Sequence, residues 1–337
     1  MKLNFYVMSK KLFIFGLILA LSAAFTACSD DDGGKGSLAS KEEILLKKYP
    51  KAANINWKKS NDKKYDIATF TLPKVTPRAM DSNVDTVSVW FGNNDNIRLV
   101  DQEISYSELP EAIRQSFEKT KCNPVKGISE QTLINTLYSD AQVWETDDVY
   151  KLERDGVVSY KIEMESVRNE VEIDLYYDVQ GILLKEVEDD GDREEMPLEI
   201  PDAVKDWVAR NHANAEIIDY ESEKEDGVVE HELDLKEGKI IVEITLVEEN
   251  GTLKLDEEEY NYPDINALPA DIKTEVEKAI AAQSVVTAED IEDIEMVKEE
   301  GAEIYTIEFE KGDDEYELKI TRNSDQTITV GDIVLES

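Results

Sequence analysis

Side chains that could act as nucleophiles, general bases or metal ligands are few in this chain of 337 residues, which has two histidines and two cysteines. His231 alternates with valine and leucine, which predicts a partly buried strand position, and His212 falls at the predicted end of a helix. Cys122 precedes Asn123 and Pro124 with no histidine nearby, which favours a packed thiol. The sequence has no nucleophile elbow, glycine-rich phosphate loop or zinc spacing. We therefore predict a protein that is not an enzyme and that needs no cofactor.

Carboxylates are abundant, since 76 residues are aspartate or glutamate. In so acidic a chain a neighbouring pair is no signal for acid–base catalysis. Three segments, 188–195, 256–259 and 310–317, concentrate acids that calcium could use, but none has the regular spacing of a calcium-binding loop. We predict no metal site and interpret these segments as solvated turns or linkers. Binding of calcium or another cation by the acidic second half of the chain is the alternative.

The formal net charge of −39 narrows the choice of partners. Residues 1–27 carry three lysines and no acids, so the rest of the chain has a balance of −42, of which residues 191–337 contribute −31 and residues 28–190 contribute −11. A charge this negative opposes binding to nucleic acid or to an anionic membrane, and it favours a cationic protein or metal ions. The plainer interpretation is that the acidic excess keeps a surface protein in solution.

The N-terminus predicts export from the cytoplasm. Lys10 and Lys11 precede the apolar run LFIFGLILALSAAF, which is short and ends in small residues. These are the features of a secretory signal peptide, which we place over residues 1–27. Residues 28–38 then form an acidic tether.

A lipid anchor is predicted directly after the signal peptide. Residues 25–28, FTAC, resemble a bacterial lipobox with Phe25 in place of the usual leucine, which implies that Cys28 is lipidated. The acidic residues after Cys28 resemble the export signal that sends lipoproteins of the Bacteroidota to the cell surface. No second apolar run is long enough to span a membrane, so the membrane contact is predicted to be the lipid alone. We expect the chain at the outer membrane facing the cell surface, with its periplasmic face as the alternative.

The chain repeats itself at a distance of 145 residues. Residues 147–165, which contain DDVYKLERDG and YKIEME, align without a gap with residues 292–310, which contain EDIEMVKEEG and YTIEFE. The repeat predicts two modules, residues 39–190 and the more acidic residues 191–337. Their boundary lies in the acidic stretch 186–197.

Each module divides into two halves that begin with a helix. Three helices are announced by the related phrases LPEAIRQS, IPDAVKDW and LPADIKTE, and the first by a capping box of Ser40 and Glu43. The segments 159–165 and 170–177 alternate apolar with charged residues, which is typical of antiparallel strands with one buried and one solvated face. The predicted fold class is α+β, in which a helix packs on a small antiparallel four-stranded sheet, about four times.

These segments together resemble the PepSY-like lipoproteins of the Bacteroidota, whose fold is similar to that of beta-lactamase inhibitor protein. The resemblance rests on KKYPKAANINW, LPEAIRQSF, YSDAQVWETDDVYKLERDG, YKIEME and EIDLYYDVQGILLKE. It is looser over residues 196–337, where Glu289 replaces Trp144 and the double tyrosine at 176 and 177 has no counterpart. The resemblance implies a secreted or periplasmic module without enzymatic activity that binds or inhibits another protein, and it supplies no catalytic residues.

Two aromatic side chains are predicted on the solvated face of the sheet. In VDTVSVWFG, Val87, Val89 and Phe91 take the apolar side, so Trp90 points the other way, and Tyr176 does the same between acidic residues. Exposed aromatics often anchor a protein or glycan interface, so both are candidate binding residues for an unidentified and cationic protein partner. Alternatively, a neighbouring half of the protein covers both side chains. For the function of the chain, the alternative is binding of a small ligand, a divalent cation or a glycan at the cell surface.

Overall fold

The order of secondary structure in the computed structural model repeats along the chain. The structure describes residues 37–73, 84–120, 144–166, 171–189, 195–225, 227–312 and 314–336. In these ranges each of four α-helices precedes four consecutive antiparallel strands, and the last group has one further short strand. All of them belong to one compact unit, residues 36–337. No helix among the described residues is long and apolar enough to cross a membrane.

The first sheet, sheet 1, has eight strands, and the second, sheet 2, has nine. The elements of sheet 1 are α1 (Leu38–Lys48), β1 (Ala53–Lys59), β2 (Asp66–Pro73), β3 (Val84–Phe91), β4 (Ile97–Glu103), a 3-10 turn (Tyr106–Glu108), α2 (Glu111–Phe117), β5 (Trp144–Arg154), β6 (Val157–Ser166), β7 (Glu172–Asp178) and β8 (Leu183–Asp189). Those of sheet 2 are α3 (Asp202–Asn211), β9 (Glu216–Glu225), β10 (Val228–Glu237), β11 (Ile240–Glu249), β12 (Thr252–Asn261), α4 (Ala270–Gln283), β13 (Ile291–Glu299), β14 (Ala302–Lys311), β15 (Asp314–Arg322), β16 (Ile328–Val330) and β17 (Val334–Leu335).

The two halves of each module share one continuous sheet. Strands β1 to β8 pair in chain order, and so do β9 to β16, while β17 pairs with β15 along the same edge as β16. The halves meet where β4 pairs with β5, with Leu99 opposite Arg154, and where β12 pairs with β13, with Glu259 opposite Val297. The predicted unit of one helix and four antiparallel strands is therefore present, but it does not form a separate four-stranded sheet, because the ladder continues across the joint.

Helix starts agree with the sequence at three of the four helices. Pro110, Pro201 and Pro269 are the N-cap residues of α2, α3 and α4, where the missing proline N–H costs no hydrogen bond. The capping box of Ser40 and Glu43 is wrong: α1 begins three residues earlier, and its N-cap is Ser37, whose side chain accepts a hydrogen bond from the Ser40 backbone N–H. Ser40 instead donates to Asp95 at 2.5 Å.

The helices cover one face of each sheet with apolar contacts. Ile113 and Phe117 of α2 are at most 1% exposed and pack on Ile162, Leu175 and other inward residues of β5 to β7. Val204 and Val208 of α3 are buried and pack in the same way on inward residues of β10 and β11. Burial of such side chains contributes roughly 1.5–3 kcal/mol each, so the alternating pattern of the strands fixes which face the helices occupy.

Two-residue turns repeat with the sequence. Asp155 and Gly156 (φ 47° and 91°) turn between β5 and β6, and Glu300 and Gly301 (φ 49° and 83°), 145 positions later, turn between β13 and β14. Positive φ at both positions matches the twist of a β-hairpin. Gly181 is required for close packing. A Cβ at this position would lie 2.5 Å from the backbone oxygen of residue 112, so the missing side chain lets α2 approach the sheet.

Candidate functional site

The face of each sheet opposite the described helices differs between the two sheets. We call it the helix-free face. On sheet 1 it is covered by residues 195–199, which connect β8 to α3 and which we call the strap. On sheet 2 it carries rows of carboxylates that lie exposed or half-buried. Because the helix side of both sheets is filled by core residues, these two faces are the surfaces on which the copies can differ in function.

The strap crosses sheet 1 from one strand to the next. Its first residue, Glu195, accepts a hydrogen bond from Tyr176 of β7 (2.6 Å) and an ion pair from Arg154 of β5. The backbone oxygen of residue 198 accepts from Arg98 of β4 at 2.8 Å. Glu199 accepts from Tyr65, just before β2, at 2.7 Å. The strap is thus held at both ends by carboxylates and in the middle by an arginine.

Glu195 is a buried anion surrounded by cations. Its side chain is 10% exposed, and besides Arg154 it lies 3.6 Å from Lys161, which also pairs with Asp174 at 3.2 Å. Burial alone would raise the pKa of Glu195, but Arg154 and Lys161 outweigh it and hold that pKa below its usual value. Burial would likewise lower the pKa of Lys161, yet its carboxylate neighbours keep it raised. Both groups are therefore charged at neutral pH.

Trp90 and Tyr176 lie on the predicted face but are not exposed. Each is 3% exposed. Trp90 packs edge-on against Tyr65 at a ring-centre distance of 5.8 Å, and Tyr176 packs with Leu184 and with Ile241 of sheet 2. The prediction of two exposed aromatic anchors is therefore wrong. Tyr176 is covered by Glu195 of the strap and by sheet 2. Trp90 is covered by Tyr65, whose hydroxyl bonds to Glu199 of the strap. Contact with Glu195 also explains why Lys161, predicted to be solvated, is 4% exposed.

Two rows of carboxylates cross the helix-free face of sheet 2 at directly opposed positions. The first row, from β9 to β12, is Asp219, Asp234, Glu243 and Glu259. The second row, from β13 to β15, is Asp293, Glu308 and Glu317. Like charges directly opposite each other on neighbouring strands destabilise a sheet. The face therefore carries an unfavourable electrostatic energy that a cationic surface would relieve.

Cations reach these rows only at their ends within the described residues. Lys185 of β8 pairs with Asp219, and Lys319 pairs with Glu317 at 2.7 Å. No ion pair joins the interior members of the rows to a lysine or arginine of the described ranges. A cleft of about 380 Å³ opens beside the first row, between the edge of sheet 1 and sheet 2, and it is lined by Asp219, Asp234 and Glu243 among others.

The crowding of carboxylates shifts their protonation. Burial, with the charges of Asp219 and Glu243, raises the pKa of Asp234 from 3.8 to about 7. Burial and a hydrogen bond with Asp293 raise the pKa of Glu295, on β13 of the same face, to about 7. At neutral pH these two positions are partly protonated, so the face can gain negative charge when a cation approaches.

The raised pKa of Asp234 gives stability a dependence on pH. Between pH 3.8 and about 7 the folded state keeps a proton that the unfolded chain releases, so the free energy of unfolding falls as pH rises through this range. We expect Asp234→Asn to stabilise the protein by on the order of 1 kcal/mol at pH of about 8 and to have no such effect at about pH 4. Urea unfolding at both pH values measures this. Asp206→Asn, at an exposed position of α3, is the control, and an equal effect of Asp234→Asn at both pH values would contradict the account.

The two histidines take structural positions. His212 is the C-cap residue of α3, as predicted, and its ring contacts Glu237 at 2.8 Å and Glu258 at 3.4 Å. His231 is a buried strand residue, hydrogen-bonded to Tyr220 at 3.0 Å. Cys28 and Cys122 lie outside the described residues, so their predicted lipidation and packing remain predictions.

The segments considered for calcium do not gather their acids. Segment 256–259 lies in β12, where alternation sends Glu257 and Glu259 to the helix-free face and Glu258 to the other. The other two segments, 188–195 and 310–317, include residues outside the described ranges. Within those ranges, the one group of acids, histidines or cysteines whose ligand atoms all lie within 4.8 Å of one another is Asp147, Asp148 and Glu163, on β5 and β6 of sheet 1.

The residues that matter most on these faces were not predicted. Glu195 stands in DREEMPLEI, where nothing distinguishes it from the acids beside it. The rows of sheet 2 had a readable signal, since acids alternate with apolar residues in EHELDL and VEITL. Their direct opposition could be seen only once strand register was known.

The fold defines a class of α+β protein in which helices cover one face of each of two antiparallel sheets. Its two histidines lie at a helix end and in a strand. Residues 83–185 match the family model described as "Putative beta-lactamase-inhibitor-like, PepSY-like". This confirms the family resemblance for that part of the chain. No curated protein matches.

Solved structures of similar proteins come from Bacteroides. A BLIP-like protein from Bacteroides fragilis is 24% identical, with 50% of this chain and 99% of that chain covered and a TM-score of 0.34. A DUF2874 family protein from Bacteroides ovatus is 21% identical, with 46% and 89% covered and a TM-score of 0.32. A structure from Bacteroides eggerthii described as "putative periplasmic proteins" is 19% identical, with 44% and 86% covered and a TM-score of 0.32.

Proposed function

We propose that this chain is a non-enzymatic protein-binding module of the cell envelope, and that the helix-free face of sheet 2 binds a basic protein surface. The observation that carries the proposal is the direct opposition of Asp234, Glu243 and Glu259 across three strands. Strand pairing could have placed lysines opposite these acids, as it places Lys298 of β13 opposite Glu303 of β14. Among the described residues the interior members of the rows instead face one another with no lysine or arginine paired with them, at a cost in stability, which is the pattern of a surface that meets its counter-charge in a partner.

Size and shape also favour a macromolecular partner. The two rows extend over seven neighbouring strands, which lie about 4.8 Å apart, so they span far more than a small ion or a single sugar covers. The face is a sheet surface with one cleft at its end and is not an enclosed pocket. An inhibitor-like role would follow if the partner's basic surface surrounds its own active site.

Differential capture tests the proposal. The row variant carries Asp234→Asn, Glu243→Gln, Glu259→Gln and Glu308→Gln. The control variant removes the same number of charges at exposed positions away from the face, through Asp206→Asn, Glu277→Gln, Glu289→Gln and Glu300→Gln. All three forms of the mature chain are immobilised and exposed to envelope and secreted proteins.

Only one pattern of capture supports an acidic docking face. We expect basic proteins that the wild type and the control variant retain and that the row variant loses. A set of captured proteins that is the same for the row variant and the wild type would contradict the proposal, because the charges of the face would then have no part in binding.

The position of this module in the cell rests on its first residues. We propose that Cys28 is lipidated and holds the chain at the outer membrane on the cell-surface side; the lipobox-like FTAC and the acids after it support this. Labelling cells with a lipid precursor checks it, and unchanged label in Cys28→Ala would contradict it.

A further inference from the structure

The covered face of sheet 1 has the chemistry of a peptide-binding site. In a chain with a net charge of −39, four cations of this face contact the strap: Lys64, Arg98, Arg154 and Lys161. The strap gives two glutamates four positions apart, Glu195 and Glu199, with Met-Pro-Leu between them. An extended chain spaces such positions roughly 13–14 Å apart. Arg154 of β5 and Lys161 of β6 receive Glu195, and Lys64, just before β2, receives Glu199.

The strap is bound by side chains of the sheet, as a separate peptide would be. Its backbone oxygens at 196 and 198 accept hydrogen bonds from the arginines at 154 and 98, at 3.2 and 2.8 Å. Among the described residues, no backbone hydrogen bond joins 195–200 to a strand or a turn. Removal of the strap would therefore leave the hydrogen-bond ladder of sheet 1 intact.

One side of the strap is open. A groove of about 540 Å³ runs along it, and Leu198 and Ile200 line this groove with Arg98 and Arg154. The ion pair of Lys64 with Glu199 is also largely exposed, at 54% and 47% of the two side chains. The end of the strap at Glu199 can therefore detach more easily than the end at Glu195, whose side chain is 10% exposed.

Beneath the strap lies an apolar and aromatic floor. Tyr65, Ile67, Trp90 and Leu99 form a buried cluster on this face, each at most 3% exposed. Pro197 of the strap is buried as well. The site thus combines an aromatic floor, an arginine for the peptide backbone and cations at both ends, which together suit an extended segment of the form Glu-x-Pro-Leu-Glu.

We propose that the helix-free face of sheet 1 is a binding groove for an extended acidic peptide, and that residues 195–199 occupy it as an intramolecular ligand that keeps it closed. This inference is independent of the acidic face of sheet 2. A tethered segment has an effective concentration in the millimolar range, so an external acidic peptide binds more weakly while the strap is in place than when it is absent or weakened.

A strap variant tests the proposal in the mature chain. It carries Glu195→Ser, Met196→Gly, Pro197→Ser, Leu198→Gly and Glu199→Ser, which keeps the length of the connection. The probe is the capped synthetic peptide EMPLEI, and the readout is tryptophan emission, with Trp90→Phe in the same background to assign the signal. The comparison peptide has glutamine at both glutamate positions.

We expect the strap variant to bind EMPLEI with a saturable blue shift, and wild type to bind it at least about tenfold more weakly because the tethered strap competes. The glutamine peptide should bind the strap variant at least about tenfold more weakly than EMPLEI at low salt, since it lacks both ion pairs. A strap variant that keeps the circular dichroism of the wild type and binds neither peptide overturns the proposal. Equal binding of both peptides overturns the acidic specificity.

A second variant covers the case in which the strap variant does not fold. Glu199→Gln removes the exposed ion pair and leaves Glu195 in place. We expect acrylamide to quench Trp90 more strongly in this variant than in the wild type, and EMPLEI to reverse the increase. Quenching equal to that of the wild type overturns the proposal, because the strap would then be a fixed part of the sheet.

Discussion

Glu195→Ala is expected to lower the free energy of unfolding by roughly 3–5 kcal/mol, the range for removing one partner of a buried ion pair. Its side chain is 10% exposed and that of Arg154 is 14% exposed. Without Glu195, Arg154 keeps only the backbone oxygen of residue 196 among its described acceptors. Tyr176 also loses the shorter of its two hydrogen bonds. A buried guanidinium without a carboxylate is costly because its lost hydration is no longer compensated.

Glu199→Ala at the other end of the strap is the matched control. Its ion pair with Lys64 is about half exposed on both sides, and exposed pairs of this kind contribute about 0–1 kcal/mol. The hydrogen bond that Glu199 accepts from Tyr65 adds about 1.5 kcal/mol, so Glu199→Ala should cost less than Glu195→Ala. Urea unfolding followed by circular dichroism measures both variants at neutral pH. Equal losses for Glu195→Ala and Glu199→Ala would contradict the account of Glu195 as a buried anion held by cations.

Trp90→Ala is expected to cost roughly 3–5 kcal/mol, as for other large aromatic side chains truncated in a core. Trp90 is 3% exposed and contacts Tyr65 in the cluster under the strap. Tyr176→Ala should lower stability in the same direction, because Tyr176 packs between Leu184 and Ile241 and bonds to Glu195. Thermal unfolding of the mature chain measures both.

Tyr176→Phe separates packing from hydrogen bonding. It removes the hydroxyl alone and should cost about 0.5–1.5 kcal/mol, well below Tyr176→Ala. Melting temperatures of Trp90→Ala and Tyr176→Ala equal to the wild type, together with weaker partner binding, would restore the original prediction that both are exposed anchors.

The sequence was sufficient for elements whose signals are local. Prolines at 110, 201 and 269 mark three helix starts, and the alternation around Ile162 and Leu175 correctly gives the face that packs against a helix. The repeat at 145 residues correctly predicts that β5 is equivalent to β13 and β6 to β14, and the turns between them share positive φ angles. Helix starts, strand alternation and tight turns are set by residues close together in the chain, so they can be predicted from one sequence. The limits of the two modules stay a prediction.

The features that sequence analysis missed depend on contacts between residues far apart in the chain. Alternation tells which side chains share a face, but it cannot tell that another segment covers that face. Trp90, Lys161 and Tyr176 were therefore placed in solvent, although all three are buried and the last two contact Glu195 of the strap. The merging of four-stranded units into larger sheets likewise depends on the β4–β5 and β12–β13 pairing, across intervening helices. Ser40 shows the local limit: two serines three residues apart both fit an N-cap, and the earlier one is used.

The most direct test of the central proposal is a binding titration of the basic protein captured by the wild type, against the wild type, the row variant and the control variant, at low and at physiological salt. The account predicts that the row variant binds at least about tenfold more weakly than the other two at low salt, and that its affinity depends less on salt, because screening acts on the charges that it lacks. Equal affinity of all three forms at both salt concentrations would contradict an acidic docking face on sheet 2.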